Sequence, residues 1–280
     1  MASFVTIHEI DEAANFIRSK ISISPKIGLV LGSGLGGLAD DVKNAVVIPF
    51  RDIPHWPVST IEGHVGQLLI GDLYGKPAMV MQGRVHYYEG YPMDQVTFPI
   101  RVMQRLRVDT IILTNAAGAI APEYQPGDVM VLNDHIALIG MAGLNPLRGP
   151  NLSEFGPRFP DMSKPYDKDL IKLAHKVAED HNIDLHEGVY VCLSGPSFES
   201  PADLRFLRII GADTVGMSTV PETIVARHGG TKVLAFSGIS NKANLDGSTE
   251  TTHEEVLQAG KLIVPKLSAI IRGVIESMKV

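Results

Sequence analysis

Apolar residues recur at helical spacing through Ile10, Ala13, Ala14 and Ile17, which predicts an amphipathic helix over Ile7–Lys20. The period then shortens. β-rich runs follow at Lys26–Leu31, Ala45–Pro49, Gln67–Leu73 and Pro77–Met81. Met93–Leu106 reads as a helix, Thr110–Leu113 as an apolar strand ending at Thr114-Asn115-Ala116-Ala117-Gly118, and Asp128–Leu132 as another strand. Helices at Asp167–His181, Pro201–Ile210, Thr219–His228 and His253–Met278 then alternate with strands at Gly188–Leu193 and Lys232–Ile239. Alternation of this kind predicts an α/β fold, with a largely parallel or mixed sheet covered on both faces. No linker or repeat divides the chain, so residues 1–280 are expected to form a single domain.

One stretch breaks the pattern. Gly140–Lys164 is rich in Gly, Pro, Asn and Arg and has little periodicity. A loop of that length inside a compact domain is more often functional than idle.

Composition narrows the function classes. A net charge of −6 argues against broad nucleic-acid or anionic-membrane binding. The single cysteine, Cys192, excludes an intrachain disulfide and lies in an apolar run. No apolar run approaches the roughly eighteen residues of a membrane span. The N-terminus lacks the basic-then-apolar pattern of a signal peptide. A cytoplasmic protein is expected.

In open α/β sheets ligands bind beyond the carboxyl ends of the strands, so chemistry is sought in the segments that follow them. The first is Leu31-Gly32-Ser33-Gly34-Leu35-Gly36-Gly37. Gly32, Gly34 and Gly37 satisfy the spacing of a dinucleotide-binding turn, whereas Ser33 offers a hydroxyl suited to free phosphate. A tight turn that binds nothing is the third option. Next, Gly83–Tyr91 holds Arg84, a fork of donors for an oxyanion, and His86. If the segment is extended, His86 and Tyr88 share a side.

Two further segments begin helices. Ser200, Pro201 and Asp203 form a capping-box start, which leaves Phe198 and Glu199 in the crevice before it. Phe198 can stack on a flat heterocycle, and Glu199 can accept from ring N–H groups. Thr219 and Glu222 have the same capping spacing. Glu222 is therefore assigned to the cap, and Ser218 to an anion at the helix start. Asn241, after the strand Lys232–Ile239, carries a donor and an acceptor that suit a ring carbonyl beside a ring nitrogen. Taken together, these donors describe a phosphate site next to a heterocycle pocket, which argues for phosphorolysis of a nucleoside.

With these residues assembled, the chain resembles the trimeric, 6-oxopurine-specific purine nucleoside phosphorylases. The matching segments are Leu31–Gly37, Gly63-His64-Val65-Gly66, Gly83–Tyr91, Asn115–Gly118, Arg158-Phe159-Pro160, Gly195–Glu199, Val215–His228, Ser240–Lys242 and His253-Glu254-Glu255-Val256. The resemblance implies a single-domain α/β fold with a mixed, twisted sheet flanked by helices. It implies phosphate binding by Ser33, Arg84, His86, Ser218 and the Ala116 N–H, with His64 near phosphate and sugar. It assigns the ribose to Tyr88, Met217 and His253, and to Phe159 from a neighbouring subunit of a homotrimer. It places the purine among Phe198, Glu199, Val215 and Asn241, with Tyr190 nearby. His86, Glu199 and Asn241 carry the catalytic roles. Inorganic phosphate is a co-substrate, and no metal or organic cofactor is implied. The Asn241–His253 segment is slightly shorter than in the vertebrate enzymes, which bears on His253.

Two other activities are weighed against this one. Methylthioadenosine phosphorylases share the fold but use an acidic residue where this chain has Asn241. A dinucleotide-dependent oxidoreductase expects an acidic residue about twenty positions after the glycines. Asp52 lies there, but Pro49, Arg51 and Pro54 crowd it.

Overall fold

The structure, a computed structural model, describes residues 4–60, 65–243 and 253–279, with side chains of the last segment described from residue 258. The strands are β1 (Ile27–Leu31), β2 (Lys43–Pro49), β3 (Gln67–Leu73), β4 (Lys76–Gln82) and β5 (Thr110–Ala119), followed by β6 (Val129–Ile136), β7 (Leu185–Cys192), β8 (Thr214–Gly216) and β9 (Lys232–Lys242). The helices are α1 (Ile7–Lys20), α2 (Met93–Val96), α3 (Phe98–Arg105), α4 (Lys168–Asp180), α5 (Pro201–Ile209), α6 (Val220–His228) and α7 (His253–Ser277). Among the described residues, one mixed sheet of nine strands runs β2-β3-β4-β1-β5-β8-β7-β6-β9. A further parallel pairing of β5 with β9 closes the last five strands into a ring.

Each element follows from local chemistry. Thr6 caps α1 and Glu9 reaches back to complete a capping box, so the helix starts where the amphipathic pattern starts. Its face Ile10, Ala13, Ala14 and Ile17 is fully buried. Asp167 caps α4 in the same way, accepting from the N–H groups of Asp169 and Leu170. The five residues of β1 are all buried, as expected for a strand covered on both faces. One large core cluster spans most of the sheet, with Tyr166, Phe50, Phe98 and Phe236 among its largest buried side chains, and a smaller one (Ile120, Val191, Leu204, Leu207, Ala212, Val215) lies under α5.

Three expectations are corrected. Met93–Leu106 is two helices, because Thr97 leaves helical geometry and Pro99 cannot donate to the preceding turn. The apolar strand at Thr110 does not stop at Leu113; β5 continues to Ala119, paired with β9 as far as Lys242. The strand expected at Gly188–Leu193 starts three residues earlier, at Leu185, and pairs with a short strand, β8, that the pattern does not announce. Among the described residues, no helix is long and apolar enough to cross a membrane.

Candidate active site

The site forms where β5 meets its neighbours. Its first wall is the glycine loop after β1. A Cβ on Gly32 would lie 2.7 Å from the Thr114 carbonyl, so only glycine permits this approach to β5, and its N–H donates to the Thr114 hydroxyl at 3.1 Å. Gly34 has φ +75°, a conformation that favours glycine. Gly37 needs neither, and the loop runs into a 3-10 helix at Gly36–Asp41. A dinucleotide turn opens an α-helix within a βαβ unit. That context is missing here, and half-buried Ser33 remains as the loop's polar side chain.

Arg84 forms the floor. It is 3 % exposed, and its guanidinium donates to the Val30 and Thr114 carbonyls, to Thr219 Oγ1 (3.3 Å) and to the Glu222 carboxylate (3.3 Å). Glu222 does cap α6, accepting from the Thr219 N–H at 2.6 Å, but it is also the buried counter-charge of Arg84. The capping spacing accounts for only half of this role. Thr219 has φ +68°, an outlier for a β-branched residue. Its conformation is over-determined: its hydroxyl also receives Asn115 Nδ2 at 2.9 Å, and Asn115 Oδ1 accepts from Ser237 at 2.8 Å. The strain turns the chain at Ser218, whose Oγ lies 3.4 Å from Thr219 Oγ1.

His86 and Tyr88 do lie together, their rings stacked at 4.9 Å and 10°, but not through an extended strand. Tyr87–Glu89 is a 3-10 turn that folds them onto each other. Glu89 is a site residue that the motifs do not single out, although His86 and Glu89 have capping-box spacing. Its carboxylate accepts from the His86 N–H (2.7 Å), from the Thr60 N–H (2.7 Å) and from the hydroxyls of Ser59 and Thr60, and it lies 3.2 Å from His86 Nδ1. Burial pushes this carboxyl up, but the hydrogen bonds from His86, Thr60 and Ser59 outweigh it and hold the group at about 2. Burial, and then the charge of Glu89, push Tyr88 up to about 12, so it remains a neutral phenol.

The other end of the site is apolar. Gly118 of β5 is in register with Val215 of β8 and with Asn241 of β9. Val215 is buried, while Ala116 and Gly118 are half-buried on alternate positions of β5. Ser240 donates to Asn241 Oδ1 at 2.8 Å, and the Asn241 amide lies against Gly118. Gly195 packs between Met217 and the Tyr88 ring; a Cβ there would lie 2.4 Å from Met217 Sδ and 3.0 Å from Tyr88 Cδ1. The two expected sugar contacts are thus neighbours. Phe198 is 47 % exposed, and Glu199 beside it is half-buried. Burial, with the nearby charge of Asp203, raises the Glu199 carboxyl above its usual range. Both line a cavity of about 330 Å³ with Leu138, Ala142 and Phe206.

Tyr190 is placed differently from expectation. It is fully buried, and its hydroxyl accepts from the Ser218 N–H at 3.2 Å, in the space that Gly216 leaves open. It reaches the Ser218 turn from the sheet side, a contact the sequence pattern does not announce. Phe159 is 87 % exposed on the irregular loop. His64 lies outside the described residues, as does the side chain of His253, whose backbone opens α7.

A family model described as "Phosphorylase superfamily" matches residues 26–276. The purine nucleoside phosphorylase 1 of Bacillus subtilis (strain 168) is 51 % identical over 266 residues, which are 95 % of this chain and 97 % of that protein. The chain belongs to the purine nucleoside phosphorylase family. Solved structures of the family agree with the fold. The Schistosoma mansoni purine nucleoside phosphorylase in complex with adenosine has a TM-score of 0.95 and 42 % identity, covering 99 % of this chain and 100 % of that one. The same family's Schistosoma mansoni structure in complex with inosine has a TM-score of 0.94 and 41 % identity, covering 99 % of each chain.

Proposed function

We propose that this chain is a purine nucleoside phosphorylase that cleaves inosine, guanosine and their deoxy forms with inorganic phosphate, giving free purine and (deoxy)ribose 1-phosphate. The observation that carries this reading is the use of β5 as a ruler. Arg84 is bonded to the carbonyl of Thr114, and Asn241 stands beside Gly118, four residues further along the strand. At about 3.3 Å per residue the two ends are roughly 13 Å apart. That span takes a phosphate, a pentose and a purine in line, and Tyr88 and Met217, neighbours across Gly195, are assigned to the pentose.

The chemistry follows from the charges. Arg84 is already compensated by Glu222, so the phosphate end consists mostly of neutral donors: Ser33, Ser218 and the Ala116 N–H. A phosphate held this way keeps its negative charge. As the C1′–N9 bond loosens, that charge stabilises the cationic sugar, and a phosphate oxygen then forms the new bond to C1′. The electron pair of the broken bond passes to the purine. Asn241, with its carbonyl occupied by Ser240, donates to N7 or O6 as negative charge gathers there. Glu199 accepts from N1–H, which exists in 6-oxopurines and not in neutral adenine. This favours the 6-oxo substrates over the methylthioadenosine alternative. Inorganic phosphate is the co-substrate, and none of these steps calls on a metal or organic cofactor.

A homotrimer is part of this reading. Phe159, Met141 (75 % exposed) and Ile209 are large apolar side chains left in water, which contact with further copies of the chain would cover. Phe159 of one subunit then covers the sugar in the next. His64 and His253 are assigned to the sugar and phosphate on the family's pattern alone. The single buried thiol, Cys192, fits a reducing cytoplasm. The test is release of free base from inosine, guanosine and adenosine with and without phosphate.

A further inference from the structure

We infer that Asn151 and His228 are positioning residues that set where Phe159 is presented to the neighbouring subunit; the inference rests on the proposed role of Phe159 at that sugar. His228 ends α6, is buried, and donates from Nε2 to Asn151 Oδ1 at 3.2 Å. Asn151 Nδ2 in turn donates to the Gly156 carbonyl and to Ser153 Oγ, both at 3.1 Å. Gly156 lies flush against the end of α6: a Cβ there would stand 2.0 Å from the His228 carbonyl oxygen. One amide therefore ties both arms of the 151–156 turn to a helix terminus.

The tie reaches Phe159 because the chain between them is stiff. Pro157 and Pro160 flank Arg158 and Phe159, and each proline fixes its own φ. Arg158 donates to the Leu147 carbonyl at 2.7 Å and lies over the Phe159 ring at 5.8 Å, closing the loop on itself. On the inner side the Arg101 guanidinium stacks on Phe155 at 4.7 Å. Three residues from Gly156 to Phe159 span at most about 10 Å, so a shift at the anchor arrives at the phenyl ring nearly undiminished. An exposed aromatic on an anchored loop is ready-made for a partner, because little ordering entropy remains to be lost on docking.

The experiment is a double-mutant cycle on nucleoside and phosphate KM. Phe159→Ala and Asn151→Ala are each expected to raise the inosine KM on the order of fivefold with the phosphate KM unchanged, and the double variant is expected to match Phe159→Ala alone. His228→Gln, which keeps an N–H toward Asn151, should stay within about twofold of the parent, while His228→Leu should behave as Asn151→Ala. Additive effects in the double variant, an equal rise in phosphate KM, or an unchanged inosine KM in both Asn151→Ala and His228→Leu would overturn the inference while leaving the Phe159 role intact. If Phe159→Ala itself leaves the inosine KM unchanged, the reading of Phe159 fails and takes this inference with it.

Discussion

The carboxylate of Glu89 sits 3.2 Å from Nδ1 of His86 and accepts from the same residue's backbone N–H, so one acid fixes both the ring and the chain that carries it. Glu89 thereby sets the orientation of the imidazole, and the proposed phosphate role of His86 depends on that orientation. Glu89→Gln keeps the shape but removes the charge. The expected result is a loss on the order of tenfold in kcat/KM for phosphate, with a smaller change in nucleoside KM. Steady-state kinetics with each substrate varied in turn checks it; equal losses for both substrates would refute the role.

The same carboxyl makes a pH prediction. Its folded value, about 2, lies below its ordinary 4.5. A depressed acid contributes stability that is complete above pH 4.5 and is lost as pH falls toward 2. Urea midpoints of the parent should therefore drop through that window more steeply than those of Glu89→Gln. Parallel curves would show that the hydrogen bonds from Thr60 and Ser59 do not hold the ionised form.

Glu222→Gln tests the buried pair. It leaves Arg84 as a desolvated cation without its counter-charge, which costs about 3–5 kcal/mol. A large fall in unfolding midpoint is expected even though the Gln amide oxygen can still accept from the Thr219 N–H, so the loss reports the charge pair and not the cap. A variant as stable as the parent would contradict the pairing.

Tyr190→Phe separates support from contact. Removing the hydroxyl that accepts the Ser218 N–H should raise the phosphate KM a few-fold, about 1 kcal/mol, and leave base preference unchanged. A changed inosine-to-guanosine ratio would instead return Tyr190 to the purine pocket.

Asn241→Asp replaces a donor by an acceptor at the purine end. Relative rates should move toward 6-aminopurines, and unchanged relative rates would count against Asn241 as the donor.

Much of this arrangement can be read from the chain because it is local. The amphipathic face of α1 and the capping boxes at Ser200 and Thr219 all show in short spans of sequence. What escaped is non-local. The Arg84–Glu222 pair joins residues 138 apart, so Glu222 looked like a cap and nothing more. Tyr190 reads as a pocket aromatic until the space above Gly216 is seen to hold its hydroxyl. The 3-10 turn at Tyr87–Glu89 gave the right neighbours for the wrong reason, since stacking replaced strand alternation. The glycine loop after β1 carried a dinucleotide spacing by accident: Gly32 is set by the approach to Thr114 and Gly34 by its φ, while Gly37 answers to neither.

The most direct test of the account is free-base release from inosine, guanosine and adenosine, each with and without phosphate. Hypoxanthine and guanine should appear only when phosphate is present, with adenosine a poor substrate. Base release that does not depend on phosphate, or adenosine cleaved faster than inosine, would contradict it.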